Sequence, residues 1–168
     1  MFRKTEDFIS NAKYEFSSTV KVFDSMTDES LHKKIEGYPR TPGFLAWHMT
    51  KSVTDILELA GLKNVYHVPD EMPAGLTVAD LKNEFNKAAD SAMKEVEANW
   101  KDENLTEETP MYGGENWKKG MTLFIVLTHL IHHRGQLGVL MRINGCKVPG
   151  IYGPAKEEWE VFGMPEMP

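Results

Sequence analysis

Cysteine is almost missing from this 168-residue chain: Cys146 stands alone, which excludes an internal disulfide and agrees with a reducing compartment. In the Ile143-Asn144-Gly145-Cys146 turn, far along the chain from the histidines discussed below, it is a poor nucleophile candidate. Long apolar runs are missing too. No stretch reaches the ~18 residues of a membrane span, and the start Met1-Phe2-Arg3-Lys4 lacks the apolar centre of a secretory signal. The expectation is a cytoplasmic protein with no membrane partner. Positive charge is in deficit: 19 Lys and Arg face 25 Asp and Glu, a net charge of -6. With a pI near 5.5, this argues against nucleic acid as a partner, whose footprint is a basic patch. Strong period-two alternation is lacking as well, and so are repeats, low-complexity tracts and linkers.

What is present is helical periodicity. Phe8, Ala12, Phe16, Val20 and Phe23 make an amphipathic helix over about 3–25. Thr41 and Pro42 open a second to about residue 60, with Gly61 as its C-cap. Thr77 and Asp80 start a third, to about Trp100, burying Leu81, Phe85, Ala88, Ala92 and Val96. A fourth spans about 118–143, apolar nearly all round in its first half and expected to be the most buried. The stretch 62–76, with Pro69, Pro73 and Gly75, reads as irregular; 101–117 is a long polar connection with room for a short hairpin. A short terminal helix near 155–161 is expected to pack Trp159 and Phe162 back on the body. The fold class is all-α, an up-and-down four-helix bundle with a short C-terminal helix, and residues 1–168 form one domain.

The chemistry-bearing feature lies in the fourth helix. His129 and His133 stand four residues apart, a step that returns to nearly the same helix face and lets two imidazoles hold one metal ion. His133 shares a face with Val126, Leu130, Leu137 and Leu140, whereas His132 aligns with Thr128 and Gln136 and reads as solvated or supporting. His48 lies on the stripe Leu45, His48, Ser52, Ile56, Leu59 of the second helix, either a satisfied core histidine or a ligand. A buried pair plus a third inward histidine favours metal over three satisfied core rings.

The segment Leu45-Ala46-Trp47-His48, followed by His129-x-x-x-His133-Arg134-Gly135-Gln136 and the tail through Val148-Pro149 and Tyr152-Gly153-Pro154, resembles the DinB/YfiT-like superfamily of small bacterial proteins. The likeness covers nearly the whole chain; in the N-terminal helix it is one of pattern only. It implies a four-helix bundle, commonly a homodimer, holding a divalent metal on three histidines, here His48, His129 and His133. Characterised relatives include S-transferases and isomerases that use low-molecular-weight thiols.

Three imidazoles leave a coordination position open, and imidazole suits zinc and nickel, the two leading metals. Gln136, seven residues after His129, can hydrogen-bond a ligand or a coordinating ring. For Arg134 an ion pair or a contact between helices is expected. Glu115, Tyr112 and Trp117 can overhang the site by chain order. No catalytic acid or base is identified. The expected function is a metal-dependent transferase joining a small thiol to an electrophilic small molecule. The alternatives are a metal-bound stress-response or ligand-binding protein without turnover and a metal-dependent hydrolase, for which His132 is the one candidate base.

Overall fold

The computed structural model describes residues 1–163 and 165. Five α-helices carry most of the chain: α1 Thr5–Phe23, α2 Asp28–His32, α3 Pro42–Leu59, α4 Val78–Asn99 and α5 Lys119–Ile143. Two short antiparallel strands, β1 Glu108–Pro110 and β2 Asn116–Lys118, pair Thr109 with Trp117. The fold is thus mostly helical, not wholly so, because residues 101–118 turn back on themselves as a hairpin over the start of α5.

Local chemistry sets the helix ends. The Thr41 hydroxyl accepts from the Phe44 N–H at 3.1 Å, with Pro42 at the first helical position. Thr77 and Asp80 form a reciprocal capping box. Thr27 and Ser30 do the same for α2, a five-residue helix too short to leave a periodic signal in the sequence. At the end of α3, Gly61 takes a φ of +101°, and the Leu62 N–H bonds the Leu57 carbonyl at 3.1 Å; this is the left-handed stop that glycine permits at low steric cost.

Packing follows the apolar stripes. Leu81, Phe85, Ala88, Ala92 and Val96 of α4 are all fully buried. Phe85 meets Phe16 and Phe23 of α1 edge-on, with ring centroids 5.8 and 5.4 Å apart. Helix α3 packs on α4 and α5, and α1 closes the ring by packing on the same two.

Four apolar residues, Leu59, Met121, Phe124 and Phe162, are more exposed than the sequence predicts. Leu59 is 45% exposed, because the buried face of α3 runs through Leu45, Met49, Val53, Ile56 and Leu57 and leaves Leu59 outside it. Helix α5 is not the most buried element: Met121 is 37% and Phe124 40% exposed, since its neighbours cover one side and the apolar residues ring it. The C-terminal segment Lys156–Phe162 is a 3-10 helix tied to α5 through the Arg142–Glu157 pair; Trp159 is half-buried, but Phe162 is 62% exposed and does not pack back on the body. No helix among the described residues is long and apolar enough to cross a membrane.

The N-terminal segment crosses α5 closely. The Phe2 N–H donates to the Gly120 carbonyl at 2.9 Å, and a Cβ on Gly120 would lie 2.2 Å from the Phe2 carbonyl oxygen. Gly120→Ala therefore forces two backbones apart. It is expected to cost about 1–3 kcal/mol despite alanine's better helix propensity, read as a lower urea midpoint at unchanged slope.

Candidate functional site

Two helices that pack together, α3 and α5, bring His48, His129 and His133 to one point. His133 Nε2 lies 3.2 Å from His48 Nε2 and 3.1 Å from His129 Nε2. The three rings meet edge to face, with centroids 4.4 to 5.2 Å apart. His48 comes from the margin of α3's buried face, half-buried, so its ring reaches the α3–α5 seam and not the centre of the core.

The tautomer of His133 follows from its other nitrogen. Nδ1 donates to the Gln136 side-chain carbonyl at 2.8 Å, so in the neutral ring the Nε2 lone pair faces the other two histidines. Gln136 in turn gives its amide N–H to His132 Nε2 at 3.0 Å. His132 is exposed and does not join the cluster. His129 Nδ1 is buried and has no partner.

Charge on these rings is disfavoured. Burial, followed by the field of His133 and then His48, pushes His129 down to about 4. Burial also lowers His48, where His133 and Arg40 add to it, and lowers His133 against the opposing pull of the Gln136 hydrogen bond. Arg40, stacked 5.4 Å above the Phe44 ring, contributes positive field to both. Neutral imidazoles with converging lone pairs are what a divalent cation requires. A zinc ion on three nitrogens at about 2.0–2.1 Å in tetrahedral array holds them about 3.3–3.4 Å apart, close to the separations seen, so the donor set fits such an ion. Among the described residues no further His, Cys, Asp or Glu joins the group.

His48 and His129 also line a cavity of about 390 Å³, walled by Lys51, Ser52, Asp55 and Ile56 of α3, Ile125 of α5, and Tyr112 and Trp117 from the hairpin. The Tyr112 and Trp117 rings lie 6.0 Å apart. Glu115 is not in the wall; its carboxylate accepts from the Trp117 indole N–H at 3.2 Å. Lys51 and Asp55 escaped the sequence reading, although their positions three and seven residues after His48 place them on its helix face. Burial and the Asp55 charge raise Tyr112 above the ordinary phenol range.

Arg134, next to His133, points the other way. Its guanidinium lies 2.6 Å from the Glu15 carboxylate of α1, both side chains being nearly buried. It also donates to the Glu15 carbonyl, the Thr19 hydroxyl and the Tyr152 hydroxyl. Tyr152 donates to Glu15 at 2.8 Å, and burial together with that bond pushes the phenol up to about 12. This pair fixes the rotation of α5 against α1, and with it the direction in which His129 and His133 project.

Gln136→Ala removes the acceptor that orients His133. The loss of such a supporting bond is expected to weaken zinc affinity about 10- to 100-fold, as measured by competition with a chromophoric chelator. Gln136→Glu is expected to retain it.

Known proteins share this arrangement of the chain. The family model described as "DinB family" matches residues 1–167. Protein YrdA of Bacillus subtilis strain 168 is 33% identical over 165 residues, 98% of this chain and 97% of YrdA. The crystal structure of a DinB-like protein from Bacillus cereus ATCC 10987 is similar at a TM-score of 0.83 and 32% identity, covering 90% of this chain and all of that one. A second, the DinB-like protein YjoA of Bacillus subtilis, agrees in fold at a TM-score of 0.65 and 18% identity, covering 86% of this chain and 96% of that one. With a family match along nearly its full length and relatives of matching extent, this chain belongs to the DinB family.

Proposed function

We propose that this protein is a metal-dependent transferase that joins a low-molecular-weight thiol to an electrophilic small molecule, with His48, His129 and His133 as the ligands of one zinc or nickel ion. The observation that carries the reading is three converging Nε2 atoms at the edge of an open cavity, with no fourth protein ligand beside them among the described residues. A closed structural site would supply that fourth ligand. A divalent ion held there is a Lewis acid that lowers the pKa of a thiol or of water. The protein's own part is to keep three rings neutral by burial, to orient His133 through Gln136, and to enclose the reactants between α3 and the Tyr112–Trp117 wall.

Transfer is favoured over hydrolysis because, among the described residues, no carboxylate or histidine other than the three ligands faces the cavity without a partner. His132 is bonded to Gln136 on the opposite side of the His133 ring, and Asp55 is held by Lys51. The cyclic packing of α1, α4, α3 and α5 supports an up-and-down four-helix bundle as the frame. A homodimer in the cytoplasm belongs to the same reading, with Val139 and Ile143 as exposed apolar residues on α5.

The test is to load the purified protein with zinc and follow the consumption of glutathione, bacillithiol or cysteine in the presence of an alkyl halide. Turnover above that of protein-free zinc and of His133→Ala supports transfer. A rate equal to those controls with every thiol would sink it and leave a metal-bound protein without turnover.

A further inference from the structure

One charged pair lies in the wall of the cavity beside the histidines. Lys51 Nζ is bonded to the Asp55 carboxylate and lies 3.0 Å from Asp70 Oδ1. The Lys51 and Asp55 side chains are 23% and 31% exposed, sheltered yet reachable from the cavity. Asp70 is 80% exposed and anchors the ammonium from outside. Across the cavity stand Tyr112 and Trp117. Both charges reach the reaction site: the fields of Lys51 and Asp55 act on His48 and on Tyr112.

We propose that Lys51 and Asp55 are a subsite for an α-amino-acid head, Lys51 taking the carboxylate and Asp55 the ammonium, so that the thiol is an aminothiol of the cysteine type. This rests on the thiol reading above. Lys51 stands one helical turn beyond His48, about 4.5 Å along the axis, a step comparable with the span from sulfur to carboxylate in cysteine. A zwitterion that inserts into the Lys51–Asp55 pair replaces one ion pair by two and leaves neither wall charge alone. A thiol with only an ammonium takes Asp55 and leaves Lys51 with Asp70 alone, whereas one with only a carboxylate takes Lys51 and strands Asp55, whose sheltered carboxylate then loses a charge-assisted hydrogen bond. An uncharged thiol gains nothing from the pair.

The experiment is calorimetric titration of the zinc-loaded, full-length protein with three thiols: L-cysteine, cysteamine, which lacks the carboxylate, and 3-mercaptopropionate, which lacks the amine. Elemental analysis after each titration checks that zinc stays on the protein. The wild type is expected to bind cysteine about tenfold more tightly than either analogue. Lys51→Met is expected to erase the advantage of cysteine over cysteamine, Asp55→Asn to erase the advantage over 3-mercaptopropionate, and Lys51→Arg to keep the cysteine preference. Equal affinity of the wild type for all three thiols, or a preference untouched in both variants, overturns the subsite and leaves the thiol reading standing. No binding of any thiol to zinc-replete protein overturns the thiol reading, and the subsite with it. The wild-type ligand series decides the matter even if a variant folds poorly.

Discussion

His133→Ala is expected to abolish stoichiometric metal binding, whereas the wild type, purified without a histidine tag and dialysed against zinc, holds about one equivalent by elemental analysis. The size of the effect follows from geometry. His133 is the ring whose Nε2 lies within 3.2 Å of both others, so its loss leaves two imidazoles on different helices with no shared neighbour. At a free zinc concentration a thousandfold above Kd, the metal is expected to stabilise the wild type by about 4 kcal/mol, and His133→Ala by far less. The pH dependence has a definite sign. All three histidines are shifted down from 6.5, so between the folded and unfolded values the unfolded chain binds more protons. Their contribution to apoprotein stability is complete above about pH 6.5 and declines as pH falls, continuing through about 4 for His129. Zinc release on acidification is expected in the same interval, because protons and metal compete for the same lone pairs. A wild type that takes up neither zinc nor nickel would make these histidines core residues and end the metal reading.

Arg134→Met is expected to cost about 3–5 kcal/mol in urea denaturation, the range for removing one member of a buried ion pair. The cause is the partner left behind. Glu15 would keep a nearly buried carboxylate with Tyr152 as its remaining side-chain donor, and folding would then have to desolvate that charge or protonate it. The double substitution Glu15→Leu with Arg134→Met removes both charges and is expected to recover most of the loss, since replacing a buried pair by apolar groups of similar volume is close to neutral. Additive losses in the two single variants and the double would show that the pair is uncoupled, which the 2.6 Å contact does not allow. Because Arg134 follows His133 directly, the wild-type pair also holds the face of α5 that carries the site.

Much of the frame was legible along the chain because it is written in local chemistry. The stripe of α4, the Thr41 and Thr77 caps and the Gly61 stop need only a neighbour a few residues away, and each stands where periodicity and capping preference place it. An apolar residue with no partner specified nearby carries no such local signal. Leu59, Phe124 and Phe162 are as apolar as their buried counterparts, yet the packing of distant helices leaves them outside. Glu15 illustrates the other gap: nothing near it in the sequence distinguishes it from Glu6, and its partners Arg134 and Tyr152 are more than a hundred positions away.

A mostly helical chain and the candidates His48, His129 and His133 follow from local sequence, because helix periodicity is a property of near neighbours and a four-residue step aligns two rings on one face. What those rings confront depends on long-range packing. The α3–α5 packing carries His48 across to the other two, the hairpin sets Tyr112 and Trp117 against Lys51 and Asp55, and the Glu15–Arg134 pair sets the angle of α5. These relations join residues far apart in the chain. They arise only when burial of the core has chosen which helix faces meet.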